Sequence, residues 1–213
     1  MRIYLASTSP ARLILLRAAG VEPYLVSPTT DEDSEIAEKE REIGRPLTGP
    51  ETTQYLATAK AESAVKQLPK ATGIFVGSDS MFELEGKLLG KPHTPERAKE
   101  RWLNQIGKTG TLHSGICAIL VQDGKIVKQI TTGTSAEVTF VNDITDTEID
   151  AYIATGEPLK VAGAFTIDSL GSAFVKEISG DPSTVVGMSI PQLRVLVREL
   201  GIEWQSLWNL QQK

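Results

Sequence analysis

Hydrophobic and polar positions alternate along this chain with two different periods, which predicts a mixture of strands and helices. Short apolar runs rich in β-branched and aromatic residues predict strands over residues 2–6, 22–27, 73–78, 112–121, 126–140 and 173–178. Apolar residues three or four positions apart predict helices that start near residues 10, 51, 95, 146 and 190. Because the chain opens as strand, loop, helix and strand, we expect an α/β fold.

Turn and cap signals set the boundaries of several predicted elements. Asp123-Gly124 joins two strand-like runs and predicts a tight hairpin, and Glu85-Gly86 predicts another. Ser9-Pro10 and Thr94-Pro95 have the cap residue and proline of a helix start. The sequence at 145–148 is that of a capping box, in which a threonine and a glutamate satisfy the first backbone N–H groups.

Residues 28–50 differ from the rest because acidic side chains, prolines and glycines replace the apolar pattern. Such a segment is typical of a solvated loop or of an exposed helix, and the sequence leaves both open. A third interpretation is an interaction module that binds a partner through residues 31–42. That interpretation leaves the serine-rich loop at residues 7–12 unexplained.

Length and composition favour one domain over residues 1–213, since domains usually span roughly 100–200 residues. The chain has 22 Lys+Arg against 27 Asp+Glu, a net charge of −5, which argues against general nucleic-acid binding. Cys117 is the only cysteine, so a disulfide framework is excluded. The sequence contains neither a signal peptide pattern nor an apolar run of the ~20 residues that a membrane helix needs. We expect a cytoplasmic protein that does not enter a membrane.

The loop Ser7-Thr8-Ser9-Pro10-Ala11-Arg12 is the first candidate for chemistry. It lies between a predicted strand and helix, where free backbone N–H groups and the helix dipole favour an anion. Arg12 adds a guanidinium, which binds phosphate through two N–H groups. The loop is therefore a candidate phosphate site, although a serine-rich cap is also common where no ligand binds.

Asp79 is the second candidate, because it follows a predicted buried strand at the end where open α/β sheets bind ligands. A carboxylate there can hold a divalent metal or take a proton from water. The alternative is a turn aspartate that bonds to nearby N–H groups. Lys60, Lys91 and Glu32 are candidates of the same kind, and the alternative for each is a surface charge. Lys91 stands between a glycine and a proline, a short stiff segment that is typical of a positioned residue.

These segments together resemble the Maf family of nucleoside triphosphate pyrophosphatases, in the variant typical of actinobacterial members. The resemblance covers most of the chain, and its motifs occur in the family's order. The motifs are Leu5-Ala6-Ser7-Thr8-Ser9-Pro10-Ala11-Arg12, Asp31-Glu32, Ala59-Lys60-Ala61, Gly77-Ser78-Asp79-Ser80, Gly90-Lys91-Pro92, Gly156-Glu157-Pro158, Ala162-Gly163-Ala164-Phe165 and Val185-Val186-Gly187.

The resemblance implies a mixed, twisted sheet with flanking helices, forming two lobes around a central nucleotide cleft and usually a homodimer. It implies hydrolysis of a nucleoside triphosphate to monophosphate and pyrophosphate with a divalent metal, Mg²⁺ or Mn²⁺. Asp79 matches the catalytic proton acceptor of the family, and with Glu32 it offers the carboxylates for the metal. The residues that match its phosphate-binding positions are Ser7, Arg12, Lys60 and Lys91.

Three positions depart from the members that prefer thymidine and uridine triphosphates. Ala11 replaces a basic residue, Ser80 replaces threonine, and Asp168 replaces a glutamine. Since these positions are associated with base choice, the resemblance does not carry that preference to this chain.

Two other functions stay open from the sequence. One is a nucleotide-binding regulatory protein of cell division that has no turnover. The expected enzyme, in contrast, would hydrolyse nucleotides, either to remove non-standard ones or to arrest division. Keeping Asp79 and Glu32 beside the cations disfavours this alternative, because a pure anion sensor would bind better without them. The other is a phosphatase that acts on phosphomonoesters and releases orthophosphate instead of pyrophosphate.

Overall fold

The computed structural model describes residues 1–209 of the chain. Within that range the chain forms a seven-stranded sheet, seven α-helices and four short 3₁₀ segments. The strands are β1 Ile3–Ala6, β2 Tyr24–Val26, β3 Gly73–Leu84, β4 Lys87–Leu89, β5 Thr109–Gln122, β6 Lys125–Phe140 and β7 Val175–Ser179. The helices are α1 Pro10–Ala18, α2 Glu32–Ile43, α3 Gly49–Gln67, α4 Pro95–Gln105, α5 Asp146–Ala154, α6 Pro182–Val186 and α7 Ile190–Glu199. The 3₁₀ segments are Glu157–Lys160, Ala162–Ala164, Leu170–Phe174 and Trp204–Leu207.

The sheet has the order β2-β1-β3-β5-β6-β7, and β4 also pairs with β3. Strands β2, β1 and β3 are parallel, whereas all pairings of β4, β5, β6 and β7 are antiparallel. The predicted mixed α/β fold with flanking helices is therefore confirmed. No helix among residues 1–209 combines the length and the apolar composition needed to cross a membrane.

Two strands share one edge of β3 and leave a gap between them. β1 pairs with residues 74–77 of β3, and β4 pairs with residues 82–84. In the described part of the chain, residues 78–81 have no strand partner on this edge, although β5 pairs with them on the other edge. We call this stretch of β3 the edge gap. Because β1 ends beside Gly77 and β4 ends beside Phe82, the loops that follow both strands start at the gap.

The core is divided along β3. Ile74 and Val76 pack with α1 and α7, while Phe82 and Leu84 pack with α4 and α5 on the same face of the sheet. On the opposite face, Phe75 packs under the alanine-rich side of α3. Two cores on one face are thus separated by the part of β3 that contains the edge gap.

Most predicted local features are confirmed. The turns 85–86 and 123–124 have positive φ at both residues, as a two-residue hairpin turn requires. The capping box at 145–148 is formed at the start of α5. Of the two alternatives for residues 28–50, the exposed helix is correct: α2 spans Glu32–Ile43 and has no buried residue. Helix α6 was not predicted, because its five residues carry no apolar period of their own.

Candidate active site

The interior of β3 carries the centre of the site. The sequence predicts that this strand ends at Ser78, directly before Asp79, and that boundary is wrong, as is the alternative of a turn aspartate. The strand continues to Leu84, and Asp79 is paired with Gly115 of β5. Asp79 nevertheless lies at an open strand edge, because it falls within the edge gap, two residues past the last residue paired with β1.

Asp79 belongs to an ion cluster on the α3 face of the sheet. The Lys60 Nζ atom lies 2.5 Å from Asp79 Oδ1 and 2.8 Å from Glu32 Oε1. The side chains of Lys60 and Asp79 are 8% and 9% exposed, whereas that of Glu32 is 50% exposed. One buried ammonium group therefore neutralises part of the charge of two carboxylates. We call these three residues the ion cluster.

Two glycines allow α3 to lie close enough to the sheet to form this cluster. A Cβ atom on Gly77 would lie 2.1 Å from the carbonyl oxygen of Ala57, and one on Gly115 would lie 2.1 Å from that of Thr53. Both distances are far below van der Waals contact, so a larger residue would push the helix away. Lys60 follows Ala57 by about one helical turn, and this close packing brings its side chain to the edge gap.

The charge around Glu32 shows which cations share the site. Burial works against ionisation of this carboxyl, but Lys60 outweighs it, together with Lys91 and Arg12, so that the pKa of Glu32 is lowered. All three predicted cations thus act on one carboxylate. The structure brings together Lys60, Glu32 and Asp79 by direct contact, and places Lys91 and Arg12 within electrostatic reach of Glu32.

Arg12 is held on the face of the sheet that carries α1 and α7. Its Nε donates to the Gly187 carbonyl oxygen at 2.9 Å, Nη2 donates to Ser80 Oγ at 3.1 Å, and Nη1 donates to Ser7 Oγ at 3.3 Å. Burial lowers the pKa of this guanidinium. A guanidinium has five N–H groups, so two remain for a ligand after these three bonds.

The Gly187 carbonyl oxygen is a further site element that the sequence reasoning missed. Besides Arg12, the hydroxyls of Ser78, Ser80 and Ser114 lie 3.0, 3.1 and 3.1 Å from it. Ser78 and Ser114 are fully buried within otherwise apolar strands, and such buried serines are the one signal that could have indicated the cluster. Gly187 itself stands in one of the family motifs, but a backbone carbonyl leaves no chemical trace in a sequence.

Ser7 lies at the end of β1 and joins its loop to Arg12. Its Oγ accepts from the backbone N–H of Ser9 at 3.1 Å and from Arg12 Nη1. With both lone pairs used, the hydroxyl hydrogen is the part of Ser7 that can still bind an anion. Ser9 directly precedes α1 as predicted, but its side chain makes no capping bond. The hydroxyl of Ser7 is what orders this loop.

Lys91 is exposed on the loop that follows β4, and both ends of its short segment are held, one by α4 and the other by the 3₁₀ segment Glu157–Lys160. Arg101 of α4 donates to the Gly90 carbonyl oxygen, and the backbone N–H of His93 donates to the Leu159 carbonyl oxygen at 3.2 Å. The expectation of a positioned lysine is supported by these contacts on either side of it.

The three positions associated with base choice lie in different surroundings. Ala11 is half-buried in the first turn of α1, and Ser80 contacts Arg12. Asp168 is exposed, and among residues 1–209 no hydrogen bond or ion pair joins its side chain to the ion cluster or to Arg12. Its loop is held by Glu157, which accepts from Thr166 Oγ1 at 2.5 Å. Burial opposes ionisation of Glu157, but hydrogen bonds led by that of Thr166 lower its pKa to about 2.

The donor set of the ion cluster fits Mg²⁺ or Mn²⁺. Lys60 engages one oxygen each of Asp79 and Glu32, and no hydrogen bond of the described residues reaches the second oxygens. Mg²⁺ is usually bound by one or two carboxylates, with waters and phosphate oxygens as the other ligands. Within residues 1–209 no cluster of three or more His, Cys, Asp or Glu side chains suits a metal, so phosphate oxygens would have to complete this site.

Comparison with known proteins identifies relatives of the whole chain. A family model described as Maf-like protein matches residues 2–200. The "Nucleoside triphosphate pyrophosphatase" of Leifsonia xyli subsp. xyli is 54% identical over 211 residues, which cover 98% of this chain and 97% of that protein. Proteins of the same name from Cutibacterium acnes and Nocardia farcinica are each 43% identical over 210 residues. They cover 96% and 97% of this chain and 93% and 96% of their own lengths.

Proposed function

The chain belongs to the Maf-like protein family, and on this basis we propose that it is a nucleoside triphosphate pyrophosphatase. It hydrolyses a nucleoside triphosphate to a nucleoside monophosphate and pyrophosphate. The observation that carries the proposal is the ion cluster in the edge gap, with Arg12 and Lys91 beside it. The cations suit binding of the phosphate groups of an anionic substrate, and the carboxylates suit its hydrolysis.

The cations answer the charge of the substrate. A triphosphate carries about four negative charges at neutral pH, and an acidic protein needs a local cationic cluster to bind it. Arg12 has two N–H groups left by its three hydrogen bonds, Lys60 is buried, and Lys91 is exposed on the loop that follows β4. The hydroxyl hydrogen of Ser7 adds a neutral donor. We assign phosphate binding to these four residues.

Asp79 is the proposed proton acceptor. In the free site its Oδ1 is bonded to Lys60, which keeps the carboxylate oriented, and Oδ2 accepts no hydrogen bond from the described residues. Water attacks the α-phosphorus, its proton passes to Asp79, the bond to the bridging oxygen breaks, and pyrophosphate leaves. Catalysis consists mainly of positioning and charge neutralisation, as in other phosphoryl transfers.

We propose that Mg²⁺ or Mn²⁺ is required, and that Glu32 and Asp79 hold it. The ion supplies neutralisation of the charge on the phosphate oxygens. Lys60 orients the same two carboxylates before nucleotide and ion bind. The support for this proposal is the donor set, two carboxylates each with one oxygen that Lys60 does not engage.

The proposal is tested by product analysis with a panel of nucleoside triphosphates, in H₂¹⁸O and with Mg²⁺ or Mn²⁺. We expect pyrophosphate and a monophosphate that carries ¹⁸O, and we expect Asp79→Asn to lower turnover at least about a thousandfold while the fold is kept. Release of orthophosphate would identify a phosphatase instead. Binding of nucleotide without any product would favour the alternative, a regulatory nucleotide-binding protein.

Base choice is proposed to depend on Ala11, Ser80 and Asp168. An ionised carboxylate only accepts hydrogen bonds, so Asp168 favours a base edge with donors, such as that of guanine or cytosine, over thymine or uracil. We expect thymidine triphosphate not to be the best substrate, and Asp168→Gln to raise its relative kcat/KM. An unchanged ranking in Asp168→Gln would remove this residue from base recognition.

The remaining proposals concern the setting of the activity and follow from the family resemblance. We propose a homodimer in the cytoplasm that removes non-standard nucleotides and does not bind nucleic acid or membranes. A link to division arrest belongs to the same proposal. Size-exclusion chromatography with light scattering tests the dimer, and modified triphosphates in the substrate panel test the choice of nucleotide.

A further inference from the structure

We propose that Lys60 closes the free site to divalent metal ions, and that it gives up its two carboxylates only when a triphosphate offers it other anionic oxygens. This inference rests on the proposed function, since it assigns an order to the binding of metal and nucleotide. It gives Lys60 a second role besides phosphate binding, namely control of the carboxylates before substrate arrives.

The contacts of Lys60 carry the inference. Its Nζ lies 2.5 Å from Asp79 Oδ1 and 2.8 Å from Glu32 Oε1, the two carboxylates that would hold a metal. Glu32 belongs to α2 and Asp79 to β3, and within residues 1–209 Lys60 is the cation that joins them by ion pairs. A divalent ion held by the second oxygens of these carboxylates would lie close to the ammonium group, and the two positive charges repel each other, so Lys60 at this position disfavours the ion.

The backbone of Lys60 cannot withdraw to make room. Helix α3 buries eight of its 19 residues against the rest of the protein, Lys60 among them, so withdrawal of the helix would expose that buried surface. Only the side chain can move, and a buried ammonium that leaves its partners without a replacement is strongly disfavoured. Phosphate oxygens are such a replacement. The triphosphate is therefore what allows Lys60 to release Asp79 and Glu32.

The other two cations of the site have no comparable position. Arg12 donates to Gly187, Ser80 and Ser7, so its guanidinium is fixed by neutral groups. Lys91 is exposed and makes no ion pair in the described part of the chain. Both affect Glu32 only through their charge. Control of the carboxylates is thus specific to Lys60.

The test is a titration with Mn²⁺ in the absence of nucleotide, followed by electron paramagnetic resonance of the free ion. Wild type is compared with Lys60→Met and Lys60→Gln, which remove the charge, and with Lys66→Met, an exposed lysine on the same helix. We expect both Lys60 variants to bind one Mn²⁺ at least about tenfold more tightly than wild type, and Lys66→Met to bind like wild type. The gain should disappear in Lys60→Gln combined with Glu32→Gln.

Equal Mn²⁺ affinity of wild type and a folded Lys60 variant would overturn the proposal, as would a gain that survives Glu32→Gln. Circular dichroism checks that each variant is folded. If neither Lys60 variant folds, the test is made on the wild-type protein alone. Its Mn²⁺ affinity should rise at least about tenfold with a non-hydrolysable triphosphate, after correction for the ion that the analogue binds alone, and no rise refutes the proposal. None of these readouts depends on turnover, so a protein that releases no pyrophosphate would refute the proposed function and leave the role of Lys60 to be judged separately.

Discussion

The ion cluster joins two helices that are attached to the protein in opposite ways. Helix α3 buries eight of its 19 residues and packs without space for a Cβ atom against β3 and β5. Helix α2 buries none of its 12 residues. Its contacts include the bond from Tyr55 Oη to Glu35 Oε2 at 2.9 Å, the bond from the Leu47 N–H to Glu40 Oε1 at 2.9 Å, and the ion pair of Glu32 with Lys60.

The two charges of the Lys60–Glu32 ion pair are therefore positioned by different interactions. Lys60 is placed by close packing of a helix on a sheet, a contact that side-chain motion cannot loosen. Glu32 is placed by polar contacts at a half-exposed surface, and such contacts are individually weak. We therefore expect α2 to open without unfolding of the rest, because regions with few buried apolar contacts have low local stability.

The largest expected effect comes from removing each partner of the Lys60–Glu32 ion pair in turn. Lys60→Ala leaves Asp79 as a buried, unpaired carboxylate and should cost about 3 kcal/mol of unfolding free energy. Glu32→Gln leaves Lys60 paired with Asp79 and should cost less than about 1 kcal/mol, since Glu32 is half-exposed. Urea unfolding followed by fluorescence measures both. Equal losses of unfolding free energy in the two variants would mean that α2 is as firmly attached as α3, contrary to this prediction.

The second prediction addresses the packing of α3. Gly77→Ala places a methyl group against the backbone of Ala57 and Ala61, which cannot rotate away, and should cost about 2 kcal/mol. Gly90→Ala is the matched control, because its Cβ would meet nothing closer than the sulfur of Met81 at 3.9 Å. A loss of stability in both variants, or in neither, would show that the contact does not position the helix.

The smallest expected effect comes from removing the same kind of cap from each helix. Thr48 caps α3 through the N–H of Glu51, and Asp31 caps α2 through the N–H of Ser34. Thr48→Ala should lower the global unfolding free energy by about 1 kcal/mol. Asp31→Ala should leave that value unchanged and instead speed amide hydrogen exchange in α2 about fivefold. A global loss caused by Asp31→Ala would show that α2 unfolds together with the core.

The sequence was sufficient for features whose causes are local. The hairpins at 85–86 and 123–124, the capping box at 145–148 and the start of α1 depend on a few adjacent residues. The charged candidates could also be selected from their places in the sequence, and the family resemblance then implied a role for each. Arg12 in the first turn of α1 and Asp79 in β3 belong to this group.

The features that could not be predicted depend on contacts between distant segments. Ser78, Asp79 and Ser80 look like the end of a strand because they are polar, yet pairing with β5 continues the strand past them. The carbonyl of Gly187 meets Ser80 across 107 positions and Arg12 across 175. Neither contact is associated with a hydrophobic period, a motif spacing or a bias in composition, so neither could be predicted from one sequence.

The edge gap also sets a length. Four residues of β3 lie between its pairings with β1 and β4, so the paired positions Gly77 and Phe82 are five steps apart, and at about 3.3 Å per step the slot between them is about 17 Å long. The lengths of β1 and β4, and not their side chains, determine this length, so they limit the size of a group that can reach Asp79 along this edge. Insertions that lengthen β1 or β4 would close the slot in steps of one residue, whereas insertions in α2 would leave it unchanged. Length variation between relatives is therefore expected to be tolerated in α2 and excluded at the ends of these two strands.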